Sequence, residues 1–321
     1  MFQQPEVSAT FHQINRSEIV RCDLCDSSQR DLFTQGIDGH YYKCANCGLI
    51  YGIADADELS DFYDNTYHTR FAARVAAGTA DQPKRSKHWH KKAKARLAGF
   101  EPYRKNGSFL EIGCSLGDFL NVVDESGWNA VGIEISDAAA TYSRNRWGLD
   151  VRTGTIESVA PELPVGQFDV IWAANLLEHV VSPCRFLAKI EELLRPGGVL
   201  IASTLNFGSW AFQFSGRRWE YLHSAKEHRF VFSPEVLNRY CQLNGLQIEK
   251  VTTAGFRCVS KTRARSWYSP GIRLVEQAVS KLARLANQGH RIEFWAEKPE
   301  QAGNNGVLPS ASEIRDLKSA A

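Results

Sequence analysis

Cys22-Asp-Leu-Cys25 and Cys44-Ala-Asn-Cys47 put two thiols on each of two tight turns, with eighteen residues between the pairs. A CxxC turn aims both sulfurs at one point, and two such turns at this separation offer four thiolates to a single tetrahedral ion. The spacing predicts a zinc ribbon, in which Gly48 allows the second knuckle its tight backbone and Tyr41, Tyr42, Ile50 and Tyr51 read as short strands. Four protein ligands leave no open coordination position, so such an ion holds a fold and does not activate a substrate. The remaining cysteines, Cys114, Cys184, Cys241 and Cys258, sit singly in periodic segments and read as small buried side chains.

A second constellation begins at Glu111-Ile-Gly113-Cys-Ser115-Leu-Gly117, a turn between an apolar strand and a helix. In an open α/β sheet, ligands bind beyond the carboxyl ends of the strands where the strand order reverses, and the first strand-to-helix turn usually lies there. Glu134, twenty-one residues after Gly113 at the end of the next strand, is placed to accept hydrogen bonds from a ribose diol. The turn lacks the second and third glycines of G-x-G-x-x-G, which argues against a nicotinamide. Imidazoles form a third set: His179 after the strand FDVIWAA, and His223 and His228 in a segment, 206–232, dense in aromatics. An imidazole can take a proton from a hydroxyl near neutral pH. His228 is favoured over His223 because the helix start at Ser233-Pro234 fixes its backbone, and Glu227 stands beside it as an orienting group. Arg217 and Arg218 in the same segment suit a phosphate.

The elements that must position these groups follow from periodicity. From residue 108 the strands SFLEI, NAVGIEI, FDVIWAA and GVLIAST alternate with amphipathic helices, which means a parallel sheet covered on both faces. Arg195-Pro196-Gly197-Gly198 reads as a helix stop turning sharply into a strand, LQIEKVTT as a further strand, 272–287 as a helix and 290–296 as a last strand. Upstream, residues 84–96 hold seven basic side chains and no acid, with Trp89, Ala93, Leu97 and Phe100 on one helical face. The 321 residues are 43% hydrophobic with a formal net charge of +2, which fits a globular chain and argues against a polyelectrolyte partner. There is no basic, apolar leader and no apolar run of about 18 residues, so a soluble, cytoplasmic protein is expected.

The motifs LEIGCSLGDFL (110–120), GIEIS (132–136), FDVIWAANLLEHVVSP (168–183) and LLRPGGVLIAST (193–204) occur in order and at suitable separations. With them the chain resembles the class I S-adenosylmethionine-dependent methyltransferases, in particular the branch with an N-terminal zinc segment that includes sugar and small-metabolite methyltransferases. The resemblance implies an α/β, doubly wound, mostly parallel seven-stranded Rossmann-like sheet. It also implies a zinc-ribbon segment over 1–55, a helical linker over the cofactor site at 56–104, a methyltransferase domain at 105–299 with an aromatic lid at 206–232, and a disordered tail at 300–321. Carried onto this sequence, it has Glu111, Gly113, Cys114 and Gly117 at the amino-acid end of S-adenosylmethionine, Glu134 on the ribose, and Thr155 and Ile156 flanking the adenine. Asn175 and Leu176 would lie near the methionine portion, Tyr63 and Tyr67 would reach over the cofactor, and His228, His179 and Glu227 would serve the chemistry. The expected acceptor is a small metabolite, most plausibly a saccharide or nucleotide-linked sugar, with no nucleic acid and no membrane insertion. A zinc-ribbon RNA methyltransferase and a non-catalytic adaptor are the alternatives.

Elemental analysis of protein purified without added metal should give one zinc per chain, lost in Cys25→Ser. Less than roughly half an equivalent, with the variant indistinguishable from wild type, would remove the site.

Overall fold

The computed structural model describes residues 21–53, 87–256 and 270–300. Between the knuckles and just beyond the second the chain runs as an antiparallel meander, β1 (Arg30–Gln35), β2 (His40–Cys44) and β3 (Ile50–Ile53), with β1 on β2 and β2 on β3. Tyr41, Leu49, Ile50 and Tyr51 are buried, so the ribbon's apolar residues face the rest of the protein.

The main sheet starts after α1 (Lys87–Ala98) with β4 (Ser108–Ile112), α2 (Asp118–Asp124), β5 (Asn129–Glu134), α3 (Asp137–Trp147) and β6 (Asp150–Thr153). The chain then crosses over α4 (Ile156–Val159) to β7 (Phe168–Ala174), α5 (Pro183–Leu193) and β8 (Leu194–Leu205). After α6 (Trp210–Ser215), β9 (Phe230–Val231) and α7 (Pro234–Leu243) come β10 (Gln247–Ala254), α8 (Pro270–Leu285) and β11 (Arg291–Glu297). The seven strands lie in the order β10-β11-β8-β7-β4-β5-β6, and β11 alone runs against the others. The order reverses at β4, which pairs in parallel with β5 on one side and β7 on the other.

Residues along the strands alternate between two apolar layers. Phe109, Val170, Trp172, Val199 and Ile201 pack with Leu97 of α1, Leu120 and Val123 of α2 and Ala140 of α3. Leu110, Ile171, Ala173, Leu200 and Ala202 pack with Phe186 and Ile190 of α5 and Leu237 and Tyr240 of α7. Cys22, Leu24, Leu49 and Tyr51 belong to this second layer, so the ribbon shares a core with the sheet and is not a separate bead. Helix starts follow the expected chemistry: Ser136, Ser182 and Ser233 accept from the N–H three residues on, with proline in the first turn at the latter two. On α1, Ala93 and Leu97 are buried, as is Phe100 just beyond, and Lys91, Lys92 and Lys94 face solvent.

Two features depart from the sequence expectations. Arg195-Pro-Gly-Gly198 does not precede a strand but lies inside β8, as an irregularity where Phe168 pairs with Leu194 and Val170 with Val199. The aromatic segment also contributes a strand of its own: β9 pairs antiparallel with β3, making the ribbon a four-stranded sheet. Of the expected boundaries, Tyr63 and Tyr67, most of the linker and the tail from 301 lie outside the described residues.

At the end of the sheet away from the crevice, Asp169 is fully buried. One oxygen accepts the N–H groups of Lys105, Asn106, Gly107 and Ser108 at 2.7–3.3 Å, and the other pairs with Arg195 Nε at 2.5 Å. Asp169→Ala strands a buried guanidinium together with these donors, and urea unfolding should show a loss of about 3–5 kcal/mol. A loss below about 1 kcal/mol would mean that the loop is held by other contacts.

Candidate active site

The β4–α2 turn stands at the reversal of strand order, and three of its residues take positive φ: Gly113 (74°), Ser115 (56°) and Gly117 (73°). Gly117 is required by space as well, because a Cβ there would fall 2.0 Å from Ser143 Oγ. Ser115 has no such freedom, and a carboxylate holds it: Glu134 Oε2 accepts its N–H at 2.8 Å while Oε1 accepts that of Ser136 at 2.9 Å. Glu134 is 2% exposed. Burial pushes its carboxyl upward and these amide donors oppose the shift. A carboxylate offers about four lone-pair positions, and with the amides of Ser115, Ser136 and Ile135 directed at it one remains open to a ribose hydroxyl.

Across the crevice, β7 ends at Asn175, whose φ is +52° and whose side-chain oxygen accepts from Arg291 Nη2 at 2.5 Å. Leu176 follows, with its methyls 3.5 Å from where a Gly113 Cβ would stand. Next come Glu178, buried and accepting the Thr204 hydroxyl at 2.8 Å, and His179, whose N–H donates to Leu176 O. The His179 ring lies 5.1 Å from that of His228, His228 lies 5.6 Å from Tyr221, and Tyr221 stacks on His290 at 5.9 Å. Four rings thus run in contact from the end of β7 to the start of β11. His228 is half-buried; burial first, and His179 second, push its imidazole down to about 3. It is therefore neutral at physiological pH.

At the ribbon, the sulfurs of Cys22, Cys25, Cys44 and Cys47 lie within 4.8 Å of one another, with Cys22 to Cys47 at 3.3 Å and Cys25 to Cys44 at 3.5 Å. None is in a disulfide. Tetrahedral zinc with bonds of about 2.3 Å needs sulfurs about 3.8 Å apart, so the donor set and its spacing fit the ion.

Several residues stand differently from the expectation. The Cys114 thiol packs in the apolar layer under Gly132, where burial pushes it up, and only its main chain is left for the crevice. Ile156 is likewise a core side chain, and the Thr155 hydroxyl caps α4. Glu227 is exposed, and its carbonyl oxygen, not its carboxylate, meets an imidazole, that of His179 and not His228. His223 is exposed. The aromatic segment expected as a lid divides in two: Trp219, Phe230 and Phe232 are core, while Phe207, Phe212 and Tyr221 are half-buried and Phe214 is exposed. Arg217 and Arg218 face solvent, with Arg217 over the Phe33 ring. Nothing in the sequence signals the polar contacts of Tyr41, Asp38 and Asp23 or the His290 ring's packing, and Tyr41 and His290 read only as strand residues, because the partners of each lie far along the chain.

The model of a methyltransferase domain family matches residues 84–251, more than half of the chain. The ubiquinone biosynthesis O-methyltransferase of Pseudomonas aeruginosa is 28% identical over 162 residues, 47% of this chain and 69% of that protein. That of Aromatoleum aromaticum is 30% identical over 148 residues, 43% and 63%. A solved structure of Haemonchus contortus phosphoethanolamine N-methyltransferase 2 in complex with S-adenosyl-L-methionine has the same fold. It superposes with a TM-score of 0.51 at 18% identity, covering 75% of this chain and 60% of that one.

The lowered imidazole gives a sign-determined pH effect. Between its ordinary 6.5 and about 3, the unfolded chain binds a proton that native His228 refuses. Stability is thus fully present above 6.5 and falls with pH below it, by up to about 1.4 kcal/mol per unit. Between pH 7 and 5.5, wild type should lose about 1 kcal/mol more than His228→Gln in denaturant unfolding. Equal losses would mean that His228 charges freely in the native state.

Proposed function

Since the chain belongs to the methyltransferase domain family and has the class I S-adenosylmethionine-dependent fold, we propose that it methylates a hydroxyl of a small acceptor, of the saccharide or nucleotide-linked sugar class. The observation that carries this reading is the neutral, half-buried imidazole of His228, its ring 5.1 Å from that of His179, which follows the end of β7. A hydroxyl must lose its proton as it is methylated, and a positioned imidazole can take it. The relatives named as O-methyltransferases support an oxygen acceptor. The half-buried rings of Tyr221 and Phe212 give a sugar or other ring an apolar wall, and Arg217 and Arg218 are free to approach a diphosphate.

Bound S-adenosylmethionine supplies an electrophilic methyl on a cationic sulfur. The main chain of Gly113–Gly117 admits the cofactor closely, and the open lone pair of Glu134 accepts a ribose hydroxyl. The backbone around Thr155 and Ile156 flanks the adenine, and Asn175 and Leu176 wall the methionine side. His228 takes the proton at the acceptor oxygen. The four cysteines hold one structural zinc. α1 packs by its apolar face on the layer of the sheet opposite the one the ribbon joins, and its lysines point to solvent on that side, which weighs against an RNA acceptor. The intact turn and the buried Glu134 weigh against a non-catalytic adaptor.

Release of S-adenosylhomocysteine over a panel of nucleotide sugars, saccharides, hydroxylated aromatics, amines and bulk RNA tests the acceptor class. Nucleotide sugars or saccharides should be turned over fastest; methylation of a hydroxylated aromatic alone would replace the sugar. Glu134→Ala should weaken cofactor binding about five- to a hundredfold by calorimetry. His228→Ala should lower kcat about a hundred- to ten-thousandfold at unchanged cofactor affinity. Preferred turnover of an amine, with His228→Ala at the wild-type rate, would overturn the hydroxyl reading.

A further inference from the structure

The run from His223 to Val231 has one two-residue strand and no helix, so its main chain finds partners elsewhere. On the sheet side, Glu178 O accepts the N–H groups of Arg229 at 2.8 Å and Phe230 at 3.2 Å. On the other side stands the ribbon. Ile37 N–H donates to His223 O, Gly52 N–H donates to Arg229 O at 2.7 Å, and β3 pairs with β9. A Cβ on Gly52 would come within 3.0 Å of both Ala225 Cβ and its carbonyl oxygen, so the two backbones fit closely.

Two ribbon side chains reach further into this run. Asp38 accepts the Ala225 N–H at 2.7 Å and the Ser224 hydroxyl at 2.5 Å. Tyr41, with no exposed surface, sets its hydroxyl 2.6 Å from Ser224 O and 2.9 Å from His228 O, at both ends of one turn. Burial, then the charges of Asp38 and Glu227, push this phenol upward, so it stays a donor.

We propose that Tyr41 and Asp38 are positioning residues for His228, through which the ribbon sets where the imidazole stands. This rests on the reading of His228 as the base. Tyr41 lies on the strand that ends in the Cys44 thiol, so one short strand links the metal cage to the lid. The hydroxyl fixes the span of the turn from Ser224 to His228, and Asp38 fixes its first residues. The ring at the end of that turn then keeps its place against His179 and Tyr221, with the Glu178 carboxylate behind His179. A ribbon needed only for its own fold would have no use for a buried phenol that spends its proton on lid carbonyls.

Tyr41→Phe and Asp38→Asn in the full chain test this, read by amide exchange, by NMR titration of the His228 ring, by metal content and by kinetics. Loss of a buried hydrogen bond corresponds to about tenfold. Exchange at 225–231 should quicken at least about tenfold while β4 and β7 keep their protection and metal content is unchanged. The His228 titration should rise from about 3 toward 6.5. On whichever acceptor is methylated, kcat should fall about tenfold or more, with KM for S-adenosylmethionine within about twofold. Unchanged exchange and titration in both variants overturn the proposal, as does quickened exchange with kcat intact. Exchange and titration need no acceptor, so they decide even if the panel yields none. If Tyr41→Phe does not fold, Asp38→Asn decides by the same readouts.

Discussion

One carboxylate seats the ribbon on the sheet. Asp23, between the first two thiols, accepts the Ser182 hydroxyl at 2.5 Å, the Cys184 N–H at 3.0 Å and the Tyr240 hydroxyl at 3.0 Å. Ser182 is the N-cap of α5, so the acid adds to the cap of a helix whose positive end favours negative charge. The residues just before that cap are Asn175–His179, the wall of the crevice. A single helix start therefore anchors the first cysteine knuckle and ends the loop that carries an imidazole. The pairing of β3 with β9, and everything the ribbon holds in the lid, presupposes that seat.

The crevice itself depends on a second acid. A glycine-rich turn usually gains its close approach by having no side chains, yet position 115 is a serine at φ +56°. Glu134 compensates by accepting the Ser115 N–H, which ties the end of β5 to the turn after β4. The same carboxylate is thus both a brace for the backbone and, through its open lone pair, the proposed ribose acceptor. Its burial makes both roles stronger, since hydrogen bonds to a charged group gain in a low-dielectric site.

What was legible in the sequence was what repeats or has a fixed spacing. The CxxC pairs, the period-two strands and the Ser-Pro helix starts each carry their signal within a few residues, and the parallel character of the sheet follows from βα alternation. Long-range polar contacts carry no such signal. Tyr41 meets its acceptors 183 and 187 residues away, and Asp23 its hydroxyl donors 159 and 217 residues away. Strand β9, two residues long, has no period to read and exists because β3 offers it an edge. Glu227 shows the limit most plainly: its side chain type suggested an orienting carboxylate, but the group that meets an imidazole is its carbonyl, which every residue has. Cys114 and Ile156 show another, since matching a motif places the backbone and leaves open which way the side chain turns.

A buried imidazole held neutral looks at first like a poor base, because burial that keeps the lone pair free also penalises the cation that forms. The proposed reaction removes much of that conflict. With S-adenosylmethionine bound, the crevice would hold one positive charge before methyl transfer and His228 would hold one afterwards, so the site need not accommodate a new net charge. Preorganisation for one cation then serves both states. The second ring lies further out: His179 is 27% exposed at its side chain, with Nε2 3.9 Å from the Glu178 carboxylate and its ring 5.1 Å from that of His228. In this arrangement the buried ring meets the acceptor and the outer ring meets solvent, and the lid must keep the inner one within reach of both.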